Sequence, residues 1–455
     1  MENIIVELSK YLLIILVAVY TYLCFGVFGI EDPYRKNSML TQQSVVMFMI
    51  QIVAFGVMFL QTGEKKMLIF YGMQFALFLA TIILYVNIYP KVSRLVVNNM
   101  CMLLCIGMIM LTRLNYSYAM KQFLISACAV AGSLVVPVII RKMTTLAKLR
   151  WIYALIGLAS LGAVFVAGRI SYGAKLGFEI MGISIQPSEL VKIVFVFFVA
   201  ASFRISTSFK NVVLTSAIAA AHVLILVAST DLGSALIIVI VYIVMLYVAT
   251  KQWVYLAAGI VGGAGASYVG YKLFSHVKTR VEVWRDPFAL YETGGYQVAQ
   301  SLFAIGTGSW FGMGLFKGAP QTIPVVEKDF IFSAISEEMG LIFAICTVLI
   351  CVSCYVMILN IAMELRRRFY KYIALGLGTC YIFQVFLTVG GAVKFIPSTG
   401  VTLPFVSYGG SSILSTFIMF AIIQGLYIVR EDEEEDIERK KEERLRAQRS
   451  IKRLG

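Results

Sequence analysis

The chain has 455 residues, of which 60% are hydrophobic and only 14% are charged. A soluble domain is about half apolar and about a quarter charged, so this composition excludes a soluble globular protein. The formal net charge is +14, but the basic residues collect in short segments between apolar runs, so this charge does not indicate nucleic acid binding.

Apolar runs of about 20 residues recur along the chain, and a helix of that length crosses the hydrocarbon core of a bilayer. They predict an all-α, polytopic integral membrane protein with about thirteen transmembrane helices. In chain order the predicted spans are 11–28, 44–60, 67–86, 96–111, 123–140, 151–167, 190–203, 212–227, 235–248, 254–273, 330–360, 372–393 and 411–429.

The short basic segments predict the orientation of these spans, because Lys and Arg collect on the cytoplasmic side. The strongest segments are 141–150 and 366–371, which fall on the same side. This orientation places the long segment 274–329 outside the cell and the charged tail 431–455 inside. The acidic run that opens this tail predicts a solvated helix or a disordered tail, with a docking segment as the alternative.

Two acids stand at predicted helix starts on the outer side. Glu189 precedes the span 190–203, and Asp231 precedes the span 235–248. Acids in the first turn are favoured by the helix dipole, and Asp is a common N-cap, so both have a structural explanation. The functional interpretation is that they help to organise an outward-facing polar site.

The segment from Phe274 to Asp329 is too long for a simple connection, and such loops are usually functional or disordered. Its aromatic residues and the glycines between 306 and 318 predict an ordered re-entrant or interfacial element. Glu337 and Glu338 follow inside the next span, where acids are costly and are functional candidates.

Basic residues occur on the same predicted side as these acids. Four of them could hold an anion: Arg280, Lys317, Lys328 and Lys394. The stretch 394–412 contains two prolines and a Gly-Gly pair, which cannot continue a helix. Because its polar groups need partners at membrane depth, this stretch predicts the wall of a cavity.

An ordered set of motifs between about 96 and 430 resembles the SEDS family, the shape, elongation, division and sporulation proteins that include FtsW, RodA and SpoVE. Residues 1–95 look like an N-terminal transmembrane extension of about three helices beyond the ten-helix core of that family. The motifs are Gln186-Pro187-Ser188-Glu189, Asp231-Leu232-Gly233-Ser234, Gly295-Tyr296-Gln297, Gln300-Ser301, Lys328-Asp329-Phe330-Ile331-Phe332, Glu337-Glu338, Thr402-Leu403-Pro404-Phe405 and Ser407-Tyr408-Gly409-Gly410-Ser411-Ser412.

The resemblance implies a peptidoglycan glycosyltransferase that polymerises lipid II into glycan strands on the outer face of the bacterial cytoplasmic membrane. The partner that it implies is a class B penicillin-binding protein, a transpeptidase. A positioned carboxylate would accept the proton of the attacking sugar hydroxyl. The lipid diphosphate that leaves needs positive charge from Arg, Lys or a divalent cation such as Mg²⁺ or Mn²⁺.

These requirements give each candidate residue an expected role. Arg280, Lys328 and Lys394 are expected to bind the diphosphate or the lipid carrier. The residues expected to shape the loop and contact sugar are Gln297, Gln300 and Ser301. Those expected to organise the loop or a cation are Glu189, Asp231, Asp329, Glu337 and Glu338.

The sequence departs from the family pattern at the residue regarded as the catalytic acid-base. That residue is an Asp six positions before the Tyr of Gly-Tyr-Gln, and here the position is Leu290, which cannot accept a proton. The nearest acids are Asp286 and Glu292. Asp286 is the preferred candidate because its Asp-Pro pair and the preceding Trp284 resemble the local pattern, although Asp also commonly begins a turn.

Two other functions remain as alternatives. An outward cavity with intramembrane acids could move a lipid-linked precursor across the bilayer, as a flippase or transporter does. Such a transporter would need a polar path that continues to the cytoplasmic face. A non-catalytic scaffold that recruits a transpeptidase is the other alternative, and Leu290 is the residue that favours it.

Overall fold

The computed structural model describes residues 2–171, 174–180 and 183–454, with side chains described except at 2–4, 144, 169–176, 179–184 and 444–454. Nearly all of this part of the chain is α-helical. The helices are α1 (Glu2–Gly26), α2 (Pro33–Thr62), α3 (Lys65–Ile88), α4 (Arg94–Leu114), α5 (Tyr116–Ser133), α6 (Val136–Lys142), α7 (Arg150–Ala167), α8 (Pro187–Ile205), α9 (Phe209–Ala228), α10 (Leu232–Thr250), α11 (Trp253–Leu273), α12 (Ser275–Arg285), α13 (Tyr296–Gly308), α14 (Ile331–Met339), α15 (Leu341–Glu364), α16 (Arg368–Ala392) and α17 (Gly410–Leu454).

Most of these helices are suited to cross a bilayer. In the described part of the chain, twelve segments are long and apolar enough to do so. The predicted span 190–203 is not among these twelve. It corresponds to the 19-residue α8, which carries the buried pair Glu189 and Lys192 and packs between α7, α10 and α16. The prediction of an all-α, multi-pass membrane protein is confirmed.

Two predicted spans contain a break in the helix. The span 123–140 is confirmed within Tyr116–Lys142, whereas the span 330–360 was predicted to begin too early, since the segment suited to cross a membrane is Leu341–Glu364. The span 330–360 breaks between α14 and α15 at Gly340, which has a φ of +91°. A Cβ at Gly340 would lie 2.6 Å from the backbone nitrogen of Gly312, so the break is fixed by a distant segment. The span 123–140 breaks between α5 and α6, where Pro137 has no N–H to donate to the preceding turn.

A small antiparallel sheet connects α7 to α8. Its strands are β1 (Arg169–Ser171), β2 (Ala174–Ile180) and β3 (Ile183–Ile185), in the order β1-β2-β3. Ile170 pairs with Lys175, and Phe178 pairs with Ile185. The sequence predicted a break in the apolar pattern here but not these strands.

The two ends of the helix bundle differ in structure. The loop face carries residues 274–330, which form α12, a π-helical turn (Tyr291–Gly295), α13 and a long irregular segment. This segment is ordered by backbone hydrogen bonds: Met313 N donates to Glu337 O (2.8 Å), and Tyr408 N donates to Glu327 O (2.8 Å). The opposite end, from which α17 emerges, is the tail face.

The first three helices share a continuous interior with the rest of the bundle. Helix α4 is buried along residues 95–112, with α1, α2, α3, α5 and α15 packed around it. Asn99 of α4 accepts hydrogen bonds from Tyr20 Oη (3.1 Å) and Cys24 Sγ (3.1 Å) of α1, and donates to Ser353 Oγ of α15 (3.3 Å). A polar node inside the membrane region therefore ties α1 to both helices.

Helix α17 continues beyond the membrane region, and its acidic residues pair with basic connections on the tail face. We call residues 431–436 the acidic collar. Asp432 pairs with Lys91 (2.7 Å) and Arg141 (2.7 Å), and Glu433 pairs with Arg367 (3.3 Å). The tail is thus helical, and its acidic collar docks on the chain's own loops.

Candidate functional site

A cleft of about 160 Å³ lies on the loop face, between α12, α13 and the segment that follows α16. It brings together three of the predicted substrate-binding residues, Arg280, Gln297 and Lys394, which are far apart in the sequence. The complete lining is Thr279, Arg280, Val283, Trp284, Gly294, Gln297, Val298, Gly391, Lys394, Ile396, Ser398 and Gly400.

Arg280 places a permanent positive charge in this cleft. Its Nη1 donates to the carbonyl of Ser398 (2.8 Å), the one hydrogen bond of this side chain within the described residues. Burial lowers the pKa of the guanidinium, and the nearby Asp329 and Asp231 oppose that shift. A guanidinium has five N–H donors and does not lose its proton in proteins, so donors remain for an anion.

Lys394 supplies a second cation to the lining of the cleft. Its φ is +60°, which costs a non-glycine residue about 1 kcal/mol or more. The indole Nε1 of Trp284 donates to the Lys394 carbonyl (3.2 Å) and holds this conformation. In the part of the chain that the structure describes, the Lys394 ammonium has no hydrogen bond or ion pair, so it is available to a ligand.

The three polar residues that were expected to contact sugar, Gln297, Gln300 and Ser301, have different surroundings. Gln297 lines the cleft, and its Nε2 donates to the carbonyl of Pro324 (2.7 Å). Gln300 Nε2 donates to Tyr291 Oη (2.8 Å). Ser301 is fully buried, and its hydroxyl donates to the carbonyl of Ala392 (2.8 Å). Gln300 and Ser301 thus hold protein segments together, while Gln297 reaches the cleft.

The candidate proton acceptor from the sequence, Asp286, caps a turn. It is exposed, and its Oδ1 accepts from Phe288 N (3.1 Å) and Ala289 N (3.0 Å). Leu290 is half-buried against the core, and its carbonyl accepts from Gly295 N (2.8 Å). Asp286 is not among the residues that line the cleft.

Asp329 lies beside the cleft, near Arg280. A Cβ added at Gly400, which lines the cleft, would lie 3.5 Å from Asp329 Oδ2 and 3.9 Å from Arg280 Nη2. Burial raises the pKa of Asp329 to about 6, while Lys328 and Arg280 oppose that rise. The neighbouring Lys328 is outside the cleft lining, and its carbonyl accepts from Ser407 Oγ (2.5 Å).

Glu337 and Glu338 hold the irregular segment against α4. Glu338 Oε1 pairs with Arg113 of α4 (2.9 Å), and Glu337 Oε1 accepts from Ala319 N (2.8 Å). The second oxygen of each carboxylate is buried and lacks a hydrogen-bond partner within the described residues. Arg113 also donates to the carbonyl of Gly318 (3.3 Å), so both acids and this Arg position the same loop.

Glu189 and Asp231 are buried outside the cleft lining and are satisfied by neighbouring groups. Asp231 caps α10 by accepting from Ser234 N (3.1 Å), and it also accepts from Ser188 Oγ (2.7 Å). Glu189 pairs with Lys192 (3.0 Å) and accepts from Ser415 Oγ (2.9 Å). Asp231 therefore has the capping role that its sequence position suggested, whereas Glu189 forms a buried ion pair.

The acids on the loop face do not form a protein cage for a divalent cation. Throughout the described residues, no group of three or more His, Cys, Asp and Glu side chains is close enough to hold a metal. Mg²⁺ usually keeps several waters and is held by one or two carboxylates together with substrate phosphates, so a bound cation stays a prediction of the sequence.

Two residues that matter to this geometry were not predicted from the sequence: Gly400 keeps space between Arg280 and Asp329, and Arg113 binds Glu338. Trp284, which was predicted only as part of the pattern around Asp286, lines the cleft and fixes Lys394. Arg113 could have been found, because a lone Arg at the end of an apolar span suggests an acidic partner. Gly400 could not, since its neighbours come from distant segments.

The sequence and the fold match known proteins. A sequence model of the family described as cell cycle protein, for FtsW, RodA and SpoVE, matches residues 93–431. The peptidoglycan glycosyltransferase RodA of Mycobacterium tuberculosis (strain H37Rv) is 32% identical over 367 residues, which cover 73% of this chain and 77% of that relative.

Solved structures show the same fold. A chain from a peptidoglycan synthase complex, solved to describe the coordination of polymerization and crosslinking, superposes with a TM-score of 0.63 at 21% identity, over 74% of this chain and 98% of that one. The Thermus thermophilus rod shape determining protein RodA superposes with a TM-score of 0.56 at 21% identity, over 74% of this chain and 96% of that one.

Proposed function

The chain belongs to the FtsW/RodA/SpoVE family of cell cycle proteins, and from that premise we propose how its cleft works in peptidoglycan synthesis. The protein is a peptidoglycan glycosyltransferase that polymerises lipid II into glycan strands. The observation that supports a site in this chain is the cleft at the end of a membrane helix bundle, whose lining includes both Arg280 and Lys394.

The cleft is suited to the charged end of a lipid-linked sugar. When the new glycosidic bond forms, the lipid diphosphate leaves with an additional negative charge, which fixed cations stabilise. Arg280 can bind two phosphate oxygens at once because its donors form a planar fork, while Lys394 adds a point charge. The volume of about 160 Å³ is below that of a pocket for a whole drug-sized ligand, so the disaccharide extends beyond the cleft.

The lipid part of the substrate requires an apolar surface that is open to the bilayer. Helix α11 leads directly into α12, and none of its residues is buried. Its exposed apolar side chains include Val261, Tyr268 and Leu273. We place the polyprenyl chain along α11, from where the diphosphate reaches Arg280 without leaving the membrane surface.

The loop face corresponds to the outer side of the cytoplasmic membrane in this proposal. The basic connections at 141–150 and 366–371 lie on the opposite, tail face, where the positive-inside rule expects them. The partner in this proposal is a class B penicillin-binding protein, which would crosslink the strands that the cleft produces. The similar chain from a peptidoglycan synthase complex supports an assembly of this kind.

A transporter of lipid-linked precursors is the second candidate, and the interior of α8 argues against it. Polar side chains of α8 reach inward as far as Lys192. From residue 193 to residue 201 every side chain of α8 is apolar, and most are buried. That stretch rises about 13 Å along the helix axis, so the polar groups of α8 do not continue to the tail face.

Polymerisation by the purified full-length protein tests this function. The protein is incubated with lipid II, with and without the partner transpeptidase, and the products are separated by length. Glycan strands of more than one disaccharide unit support the proposal. Movement of a fluorescent lipid II analogue across liposomes without polymer would favour the transporter. A folded protein that binds the transpeptidase but shows neither polymerisation nor transport would be a scaffold.

A further inference from the structure

The tail face carries a group of cations that no acid neutralises. Several basic residues of this face pair with the acidic collar or with Glu364, namely Lys91, Arg141, Arg367 and Arg430. A second group lies where α7, α8 and α9 meet, and it has no ion pair within the described part of the chain. We call this group the basic junction, and it consists of Lys148, Arg150, Arg204 and Lys210.

The sequence explains why the basic junction lacks a counter-ion. No Asp or Glu occurs from residue 65 to residue 178 or from residue 190 to residue 230. These two ranges contain α7, the connection before it, most of α8 and all of α9. The positive-inside rule accounts for basic residues on this face, but it does not require that four of them meet without an acid.

Hydrogen bonds bring the four side chains to one place. Arg150 Nη1 donates to Asn211 Oδ1 at the start of α9 (2.8 Å), and Arg204 Nη1 donates to the carbonyl of Ala147 before α7 (3.2 Å). Asn211 and Ala147 are the chain neighbours of the two lysines of the junction. Each guanidinium has five N–H donors, so both retain donors for an anion.

Exposed apolar side chains begin directly beside these cations. Trp151 and Leu155 lie one turn apart on α7, Phe209 and Val213 lie one turn apart on α9, and all four are exposed. Helix α7 packs against α9, so the two apolar stripes belong to neighbouring helices. The Arg150 guanidinium lies 4.4 Å from the centroid of the Trp151 ring, where the charged and apolar parts of this surface meet. Trp is typical of the boundary between bilayer and water.

An anionic phospholipid matches both parts of this surface. Its phosphate has oxygen acceptors that suit the planar fork of a guanidinium, and basic sites between transmembrane helices hold such headgroups. A free phosphate ion would use the cations but leave the apolar stripes without a partner. A zwitterionic lipid would cover the stripes, but its headgroup also brings a positive charge to the junction.

We propose that the basic junction binds the phosphate of an anionic phospholipid from the leaflet at the tail face, with the acyl chains along α7 and α9. The headgroup supplies the negative charge that the chain lacks here and joins the tail-face ends of three helices. The site lies at the opposite end of the bundle from the cleft, so it does not depend on the function proposed above.

The double variant Lys148→Gln with Lys210→Gln tests this proposal in the purified full-length protein. Both lysines are exposed and make no hydrogen bond or ion pair within the described residues, so the fold should be unaffected. The protein in neutral detergent receives equal amounts of phosphatidylglycerol and phosphatidylcholine, and bound lipid is measured by mass spectrometry of intact complexes. Wild type should retain phosphatidylglycerol preferentially. The double variant should bind it about twentyfold more weakly, since each basic residue contributes roughly fivefold.

The double variant Arg366→Gln with Arg368→Gln is the matched control. It removes the same charge from the same face, but beside Glu364 and Glu433, and should bind phosphatidylglycerol as wild type does. Phe209→Ser should weaken phosphatidylglycerol binding while inorganic phosphate fails to displace the lipid. Equal binding by wild type and the lysine variant, or an equal loss in the arginine control, would overturn the proposal. Displacement by millimolar inorganic phosphate would assign the junction to a free anion instead of a lipid.

Discussion

At the scale of single residues, a few side chains determine whether the loop face can bind an anion. Arg280 and Lys394 come from different elements, and each is placed by a contact with a backbone carbonyl: Arg280 donates to Ser398, and Trp284 donates to Lys394. These contacts use uncharged partners, although Asp329 and Asp231 partly offset the charge of Arg280. In the proposed function, the two cations would bind the diphosphate of the substrate.

Lys394→Gly should weaken anion binding without disturbing the backbone. The native φ of +60° suits glycine, so the substitution removes the ammonium and relieves strain at the same position. We expect inorganic pyrophosphate to inhibit polymerisation about tenfold less strongly or weaker still, since one charge-assisted contact contributes about 1.5–3 kcal/mol. The inhibition constant is the measurement, and an unchanged constant would place the diphosphate elsewhere.

Arg113→Met should destabilise the protein strongly because it leaves the buried carboxylate of Glu338 without its cation. The two side chains are 12% and 0% exposed, and breaking a buried pair on one side costs about 3–5 kcal/mol. The midpoint of thermal unfolding in detergent is the measurement. The double variant Arg113→Met with Glu338→Met removes both charges and should recover much of the loss. Equal midpoints for the single variant and the wild type would show that this pair does not hold the loop.

At the scale of elements, the positions of the helices followed from the apolar runs, but their breaks did not. The run 330–360 contains no proline, and apolar residues occur on both sides of Gly340. The break there depends on Gly312, which the sequence places far away. The break before α6 was closer to being predictable, because Pro137 stands in the run itself. A single sequence records local preferences, whereas long-range contacts decide where a helix stops.

The candidate site shows the same division. The grouping of Arg280 and Lys394 on one face followed from the order of the spans. The sequence order did not show which acid lies near Arg280, because the space beside Gly400 is built from α12, the segment before α14 and the segment after α16. Asp286 has the more suggestive sequence context, but it lies on the turn after α12, outside this space.

The acidic collar should stabilise the tail face, and two truncations separate it from the rest of the tail. A chain that ends at Asp436 keeps the pairs of Asp432 and Glu433, whereas a chain that ends at Val429 loses them. Each exposed pair contributes at most about 1 kcal/mol. We expect the shorter chain to unfold on the order of a few degrees lower and the longer one to match wild type.

Salt provides the control for these truncations. The Debye length falls to about 3 Å at 1 M salt, so the contribution of exposed pairs should shrink there. The difference between the two truncated chains should therefore narrow in high salt. A difference that persists unchanged would mean that the collar acts through packing instead of charge.

At the scale of the whole molecule, the proposed sidedness can be measured in intact cells. The chain has eight cysteines, which are first replaced. A single cysteine is then introduced at exposed Gln321 on the loop face or at exposed Lys441 in the tail. A membrane-impermeant thiol reagent should label Gln321→Cys and spare Lys441→Cys. The reverse pattern would end the proposal of synthesis outside the cell.

The whole molecule also joins two parts that the sequence separates. The family match begins at residue 93, yet α4 is buried by helices that precede it, and Asn99 links α1 to α15. Tyr11 of α1 packs against Phe311 of the irregular loop segment, with ring centroids 5.8 Å apart. The N-terminal helices therefore contact both the interior of the bundle and the loop face that carries the cleft.

The role of the cleft is tested by comparing lipid II polymerisation by wild-type protein and by Arg280→Gln, each purified at full length and assayed with the partner transpeptidase. We expect glycan strands from wild type and a rate about a hundredfold or more lower for Arg280→Gln, because a preorganised donor to the developing charge is lost. Folded yield should be equal. Equal rates for the two proteins would show that this cleft is not where the lipid diphosphate leaves.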